Sequence, residues 1–150
     1  MDMNWLMVTF LTILQGTWQY DGYIYEGQRH PLPNPHLYLT FTFSENGRSR
    51  LYWSRQNEPG FCEREASYSI EEQHLFQTVV WVNPDNLPEC QQDPDMQLGH
   101  ESITLFQIMD QELHFYFHLN HDVFIYVLKR IPPTIQDQST GSGSLPVTNP

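Results

Sequence analysis

Apolar and polar residues alternate along eight segments of the chain, and this alternation restricts the fold more than any other feature. Residues 112–119 show it most clearly, because every second residue from Leu113 to Leu119 is leucine or phenylalanine, with histidine or tyrosine between. A period of two places the apolar side chains on one face of an extended strand. The eight segments, each of ordinary strand length, are residues 17–26, 36–44, 48–56, 61–70, 74–82, 100–109, 112–119 and 122–131. The sequence therefore predicts an all-β domain.

The connections between these segments differ in length, and the difference predicts where a ligand would bind. Asn46-Gly47 is a hairpin signal, because Asn-Gly accepts positive φ angles readily. If consecutive strands run up and down, the turns at Glu45, Glu71 and Asp110 meet at one end of the fold. The other end receives the connections 27–35, 56–60, 83–99 and 120–121. Recognition surfaces are usually built from longer loops, so we predict the site at this long-loop mouth.

Gly16-Thr17-Trp18 opens the first strand, and Leu128-Lys129-Arg130 lies at the end of the last. A cation at the end of the last strand can stack on an indole at the start of the first, which would join the two strands. We therefore predict a closed eight-stranded antiparallel up-and-down β-barrel. The indole is that of Trp18, and the candidate cations are Lys129 and Arg130.

The two ends of the chain differ in composition from the barrel and divide it into residues 1–15, 16–131 and 132–150. Residues 5–14 are an apolar run too short to span a bilayer, and no lysine or arginine precedes Arg29. Residues 1–15 are either the signal peptide of an exported protein, a retained helix that caps the barrel, or a membrane anchor. Residues 132–150, with Pro132-Pro133 and a Gly-Ser repeat, have the composition of a disordered tail.

Charge and cysteine content restrict partners and compartment. The net charge of −11, from 18 acidic and 7 basic residues, disfavours binding to nucleic acid or to anionic lipid. Cys62 and Cys90 both fall at the long-loop end, where a disulfide would fix the largest loop. Such a bond predicts an extracytoplasmic protein, periplasmic or secreted. The alternative is a pair of reduced thiols in a cytosolic barrel.

The strand count, Gly16-x-Trp18 and the terminal cation together resemble the lipocalin-like small β-barrels, whose wider group includes avidin-type and fatty-acid-binding barrels. The resemblance covers residues 16–131. It implies that Trp18 lies at the closed base of the barrel and that Arg130 packs over it. It also implies a binding protein for small ligands.

The histidines do not predict a metal site or a haem. On a strand, residues four apart such as His114 and His118 are separated by about 13 Å, whereas two imidazoles must each lie about 2 Å from a shared ion. We expect the strand histidines to face solvent; His118 and His121, which flank a turn, are the one pair that could approach. No nucleophile motif is present, so we predict no enzyme activity, no metal and no cofactor.

We predict a non-enzymatic protein that binds a small apolar or amphipathic molecule at the long-loop mouth and has no stable membrane span. The predicted ligand-binding residues are Phe41, Phe43, Trp53, Phe115 and Phe117. The alternative is a barrel filled by its own side chains, which engages a protein partner through residues 27–35 and 83–99.

Overall fold

The structure is a computed structural model that describes residues 13–132. The predicted leader or cap, apart from its last three residues, and the predicted tail after residue 132 lie outside the described residues. The strands are β1 (Gly16–Tyr25), β2 (Gln28–Pro31), β3 (Leu37–Phe43), β4 (Arg48–Arg55), β5 (Cys62–Glu71), β6 (His74–Val82), β7 (Glu101–Met109), β8 (Glu112–Leu119) and β9 (Asp122–Ile131). Within residues 13–132, no helix is both long and apolar enough to cross a bilayer.

All neighbouring strands are antiparallel, and the sheet closes on itself. β1 pairs with β9 along almost its whole length, from Thr17 opposite Ile131 to Tyr25 opposite Phe124. β3 to β9 follow one another in chain order around the barrel. The predicted all-β, eight-stranded up-and-down barrel is therefore confirmed, with β1 and β3 to β9 as its eight strands.

β2 (Gln28–Pro31) is a ninth strand inside the predicted connection 27–35, where the sequence predicted only a loop. The chain turns at Glu26-Gly27, where both φ angles are positive, and β2 then runs back along the second half of β1. The first half of β1 pairs instead with β3, through Gly16–Gln19. Because β2 occupies the edge of β1, the first residues of β3 pair only with β4.

The closed end of the barrel is built around Trp18, whose side chain is completely buried. Its indole Nε1 donates a hydrogen bond to the carbonyl oxygen of Leu14 at 2.9 Å. The Arg130 guanidinium lies 4.1 Å from the centre of the indole ring. Arg130 also donates hydrogen bonds to the carbonyl oxygens of Gln15 and Ile13, at 2.8 and 2.6 Å. One side chain of β9 thus joins the chain before β1 to the base of the barrel.

Packed apolar side chains occupy the end of the barrel opposite the long-loop mouth. This core consists of Leu14, Trp18, Phe43, Tyr68, Ile70, Leu75, Phe106, Leu113, Phe115 and Leu128. Apart from Leu14, which precedes β1, inward-facing residues of β1, β3 and β5 to β9 supply it, as the period of two allows. The base is therefore a packed core, whereas the inward-facing aromatic residues nearer the long-loop mouth are only partly buried.

Residues 83–100, which we call the roof loop, fold inward over that mouth. The disulfide between Cys62 and Cys90 is present, with a Cα to Cα distance of 5.7 Å, and confirms the predicted pairing. Met96 and Cys90 are buried in a second apolar cluster with Leu51 and Cys62. Asn86 fixes the start of the loop through two hydrogen bonds to the backbone of Glu63, at 2.8 and 3.0 Å.

Candidate ligand-binding site

A β-bulge in β1 aligns three tyrosines on the inner face of the barrel. The register against β9 shifts between Tyr20 and Gly22, so that the side-chain alternation changes phase at that point. As a result Tyr20, Tyr23 and Tyr25 all point to the side that carries the aromatic residues of β9. Together with the neighbouring residues of β8 and β9 they form one surface near the mouth. We call it the aromatic wall: Tyr20, Tyr23, Tyr25, Phe117, Phe124 and Tyr126.

The rings of the aromatic wall contact one another but are not sealed from solvent. Tyr25 and Phe124 stack with their centres 4.6 Å apart, and Phe117 and Tyr126 meet at 4.7 Å. Each member of the wall is only partly buried. Burial raises the pKa of Tyr20 to about 12, with a further contribution from Tyr126, so the Tyr20 phenol is neutral at physiological pH. The wall therefore offers an uncharged aromatic surface.

A second side of the mouth is formed by β3, β4 and the roof loop. Leu39, Phe41 and Trp53 are partly buried there and pack with Leu87 against the cluster that includes Met96. Phe41 also meets the ring of Phe115 edge to face at 5.4 Å. This second surface is apolar and faces the same end of the barrel as the aromatic wall.

One charged side chain, Arg64 of β5, lies inside the barrel and is only 2% exposed. Its Nε donates to the main-chain oxygen of Asp95 in the roof loop at 3.2 Å. Its two terminal nitrogens donate to Ser49 Oγ at 3.2 Å and to Gln77 Oε1 at 3.4 Å. The guanidinium carbon lies 5.6 Å from the centre of the Phe41 ring. The interior therefore combines aromatic surface with one buried cation.

A lipocalin-like protein from Bacteroides uniformis has a solved structure similar to this barrel. The TM-score is 0.53 at 13% sequence identity, and the match covers 79% of this chain and 98% of that chain. This chain has a lipocalin-like fold. The REP1-NXSQ fatty acid transporter gives a TM-score of 0.42 at 11% identity, over 82% of this chain and 99% of that chain. No protein-family model matches the chain, and no curated protein is significantly similar to it.

The lipocalin-like barrel places the five predicted ligand-binding residues at two depths. Phe41, Trp53 and Phe117 are partly buried near the mouth. Phe43 and Phe115 are 2% and 3% exposed and belong to the packed base. All five point inward, because each alternates with outward-facing residues on its strand. Their role in binding stays a prediction, and the three near the mouth are the ones that a ligand could contact.

The sequence did not single out Arg64 or the three tyrosines of β1. A signal for Arg64 exists, because it shares the alternation of the buried residues Cys62, Ala66 and Tyr68 on β5. Glu63 and Glu65 lie on the other face, and Glu63 pairs there with Arg50. The tyrosines required knowledge of the bulge, which changes the phase of alternation within β1.

One histidine of the barrel corrects the prediction that the strand histidines face solvent. His114 points outward from β8 but is only 3% exposed, because the ion pair between Arg29 of β2 and Glu112 crosses this part of the surface. His114 Nε2 lies 3.0 Å from Glu112 Oε1. Within residues 13–132, no three His, Cys, Asp or Glu side chains are grouped as metal ligands.

Proposed function

We propose that this lipocalin-like barrel binds a small apolar or amphipathic molecule at its long-loop mouth, between the aromatic wall and the β3–β4 side. The supporting observation is the contrast between the two halves of the interior. Inward-facing rings at the base are buried, whereas those of the aromatic wall keep solvent exposure. Removing apolar surface from water contributes about 25 cal/mol per Å², so a ligand that covers these rings gains affinity from their burial.

The chemistry of the interior suits a binding protein. Its groups are aromatic rings, aliphatic side chains, one guanidinium, and the hydroxyl and amide of Ser49 and Gln77, which recognise shape and polarity. The disulfide between Cys62 and Cys90 supports a location in an oxidising compartment, periplasmic or extracellular. Alkylation of free thiols in protein taken from its source tests this location. Protection of both cysteines until reduction is expected, and free thiols would place the protein in the cytosol.

Native mass spectrometry of protein purified from its own source tests the proposed function directly. Extra mass that leaves on denaturation, and that matches an apolar or amphipathic molecule, is the expected result. A bare protein that also fails to bind an apolar fluorescent probe would favour the protein-interaction barrel. The roof loop gives that alternative one specific feature, since Leu98 is 70% exposed on it.

Two neighbouring residues of β8 provide a matched pair of variants for the location of the site. Phe117 points inward as part of the aromatic wall, whereas Tyr116 points outward and donates a hydrogen bond to Gln107 at 2.7 Å. Phe117→Ala is expected to weaken binding of an apolar fluorescent probe about tenfold, which corresponds to about 1.4 kcal/mol. Tyr116→Ala is expected to leave the affinity unchanged. Equal effects of the two variants would contradict a site inside the mouth.

A further inference from the structure

Arg64 differs from the cations on the outer surface in how its charge is balanced. Arg29, Arg50, Arg55 and Lys129 each form an ion pair with a carboxylate. Among the described residues, no carboxylate lies within ion-pair distance of Arg64. A charge taken out of water is costly unless it is paired and fully hydrogen-bonded. Arg64 is thus a buried cation whose three acceptors are all neutral.

The guanidinium also has N–H groups for which the described residues provide no acceptor. An arginine carries five N–H groups, and the described residues accept hydrogen bonds from three of them, at 3.2 to 3.4 Å. These bonds are longer than the 2.7 to 2.9 Å typical of charge-assisted pairs. Gln77 Oε1 accepts hydrogen bonds from both Arg64 and Ser49, so the amide Nε2 of Gln77 is a further donor in this cluster of Arg64, Ser49 and Gln77. The cluster therefore has more donors than acceptors.

The carboxylates nearest to Arg64 form no ion pair with it. Asp93 and Asp95 of the roof loop favour its charged form, but the Asp95 carboxylate is 54% exposed and lies 3.7 Å from His100 Nε2. Burial lowers the pKa of Arg64 to about 10, which still leaves the guanidinium protonated at neutral pH. A full positive charge thus remains inside the barrel.

The position of the cluster connects it to the proposed ligand site. The guanidinium lies against Phe41, which is partly buried and belongs to the β3–β4 side of the mouth. Gln77 stands directly opposite Ser102 of β7, so a second hydroxyl is close to the amide on the inner face. An elongated ligand could therefore contact Arg64 and Gln77 at one end and the aromatic wall along its body.

We propose that Arg64 and Gln77 receive a single acidic group of the ligand, a carboxylate or a comparable monoanion, whose apolar body lies along the aromatic wall. The inference rests on the proposed function and adds the chemical class of the ligand. A monoanion fits because Arg64 is the one cation of the cluster, while Asp93 and Asp95 nearby would repel a second negative charge. The acidic group would also compete with the Asp95 carbonyl for the guanidinium, and so would act on the roof loop.

A pair of ligands that differ only in the head group tests the proposal. Dodecanoic acid and dodecanol compete with an apolar fluorescent probe at pH 7.5 on the full chain. We expect the wild type to prefer the acid at least tenfold. In Arg64→Gln the preference should fall to within about twofold while the affinity for dodecanol is kept. Arg50→Gln, on the outer face of β4, is the control that should retain the preference.

The possible results separate this proposal from the proposed function. If the wild type binds dodecanol as well as dodecanoic acid, the acidic-group receptor is overturned and the apolar site stands. If the protein binds neither the probe nor dodecanoic acid nor dodecanol, the proposed function fails as well. If Arg64→Gln does not fold, a titration of carboxyl-¹³C dodecanoic acid bound to the wild type decides. A ligand pKa below that of the free acid supports the ion pair, and an unchanged or raised pKa overturns it.

Discussion

Trp18 carries contacts that several parts of the chain share. Its indole lies in the packed base, bonds to the carbonyl of Leu14 and is covered by the Arg130 guanidinium. The same guanidinium bonds to the carbonyls of Ile13 and Gln15, so the start of β1 and the end of β9 meet on one ring. Loss of the indole would leave a large cavity and would also remove the surface on which Arg130 lies.

We expect Trp18→Ala to lower the free energy of unfolding by about 3 to 5 kcal/mol, because a completely buried aromatic side chain is replaced by a cavity. Urea unfolding followed by circular dichroism measures the change. Trp81→Ala is the control. Because Trp81 is 40% exposed, this variant should lose much less free energy of unfolding. Similar unfolding midpoints for Trp18→Ala and the wild type would contradict the structural role of the indole.

Glu112 links pH to stability at a second site. Arg29 donates two hydrogen bonds to its carboxylate, and with His114 this lowers the Glu112 pKa from 4.5 to about 2. A carboxyl group whose pKa is lower in the folded state stabilises the fold above its unfolded pKa. That contribution is lost as the pH falls from about 4.5 toward 2. Because the Arg29 side chain is 51% exposed, we expect no more than about 1 kcal/mol.

Unfolding of the wild type and of Glu112→Gln at pH 5.5 and pH 2.5 tests this linkage. The wild type should lose more stability between the two pH values than the variant does, because the variant has no carboxylate to protonate at this position. Glu101→Gln, at an exposed position on β7, should behave as the wild type. An identical loss in the wild type and Glu112→Gln would show that the ion pair contributes nothing to stability at pH 5.5.

At the scale of elements, the sequence predicted those strands whose alternation is sustained, and it failed where that alternation is broken. β8 was evident because its apolar face is uninterrupted, whereas β2 has only four residues and ends in Pro31. The bulge beside Gly22 changes which residues of β1 face inward, and no change in the pattern of residue types marks it. Arg64 was missed because a charged residue is normally assigned to the solvent face, and its burial depends on contacts from the distant roof loop.

The roof loop is held by one covalent bond and a small apolar cluster, which makes its stability testable. Cys62 and Cys90 are separated by 28 positions in the chain, and a bridge over a loop of this size contributes about 2 to 4 kcal/mol. The double variant Cys62→Ser/Cys90→Ser should therefore unfold at lower denaturant concentration, by an amount that matches reduction of the wild type. If the double variant and the wild type were equally stable without reductant, the bridge would have no part in holding the fold.

At the scale of the whole molecule, closure of the barrel brings the two ends of the described chain together. Thr17 pairs with Ile131, and a guanidinium nitrogen of Arg130 lies 2.6 Å from the carbonyl oxygen of Ile13. The long loops all lie at the opposite end. We therefore expect the barrel to form even when the chain begins and ends at another turn, provided that every strand keeps both of its neighbours.

A circular permutant tests this separation. A Gly-Ser linker of about six residues, which spans up to about 20 Å, would join Pro132 to Ile13, and the new ends would lie between Glu72 and Gln73. Both of these turn residues have positive φ angles, of 49° and 66°, so opening the chain here also releases a strained turn. We expect a cooperative thermal transition and a probe affinity equal to that of residues 13–132 in their normal order.

The matched control is a permutant with the same linker whose new ends lie between Phe115 and Tyr116. This cut divides β8 in the middle, where it pairs with β7 on one side and β9 on the other. Hydrogen bonds to both neighbours would be weakened at once, so we expect no cooperative transition. If both permutants folded equally well, strand continuity would matter less than inward packing. If neither folded, the order of the strands along the chain would itself be part of what stabilises the barrel.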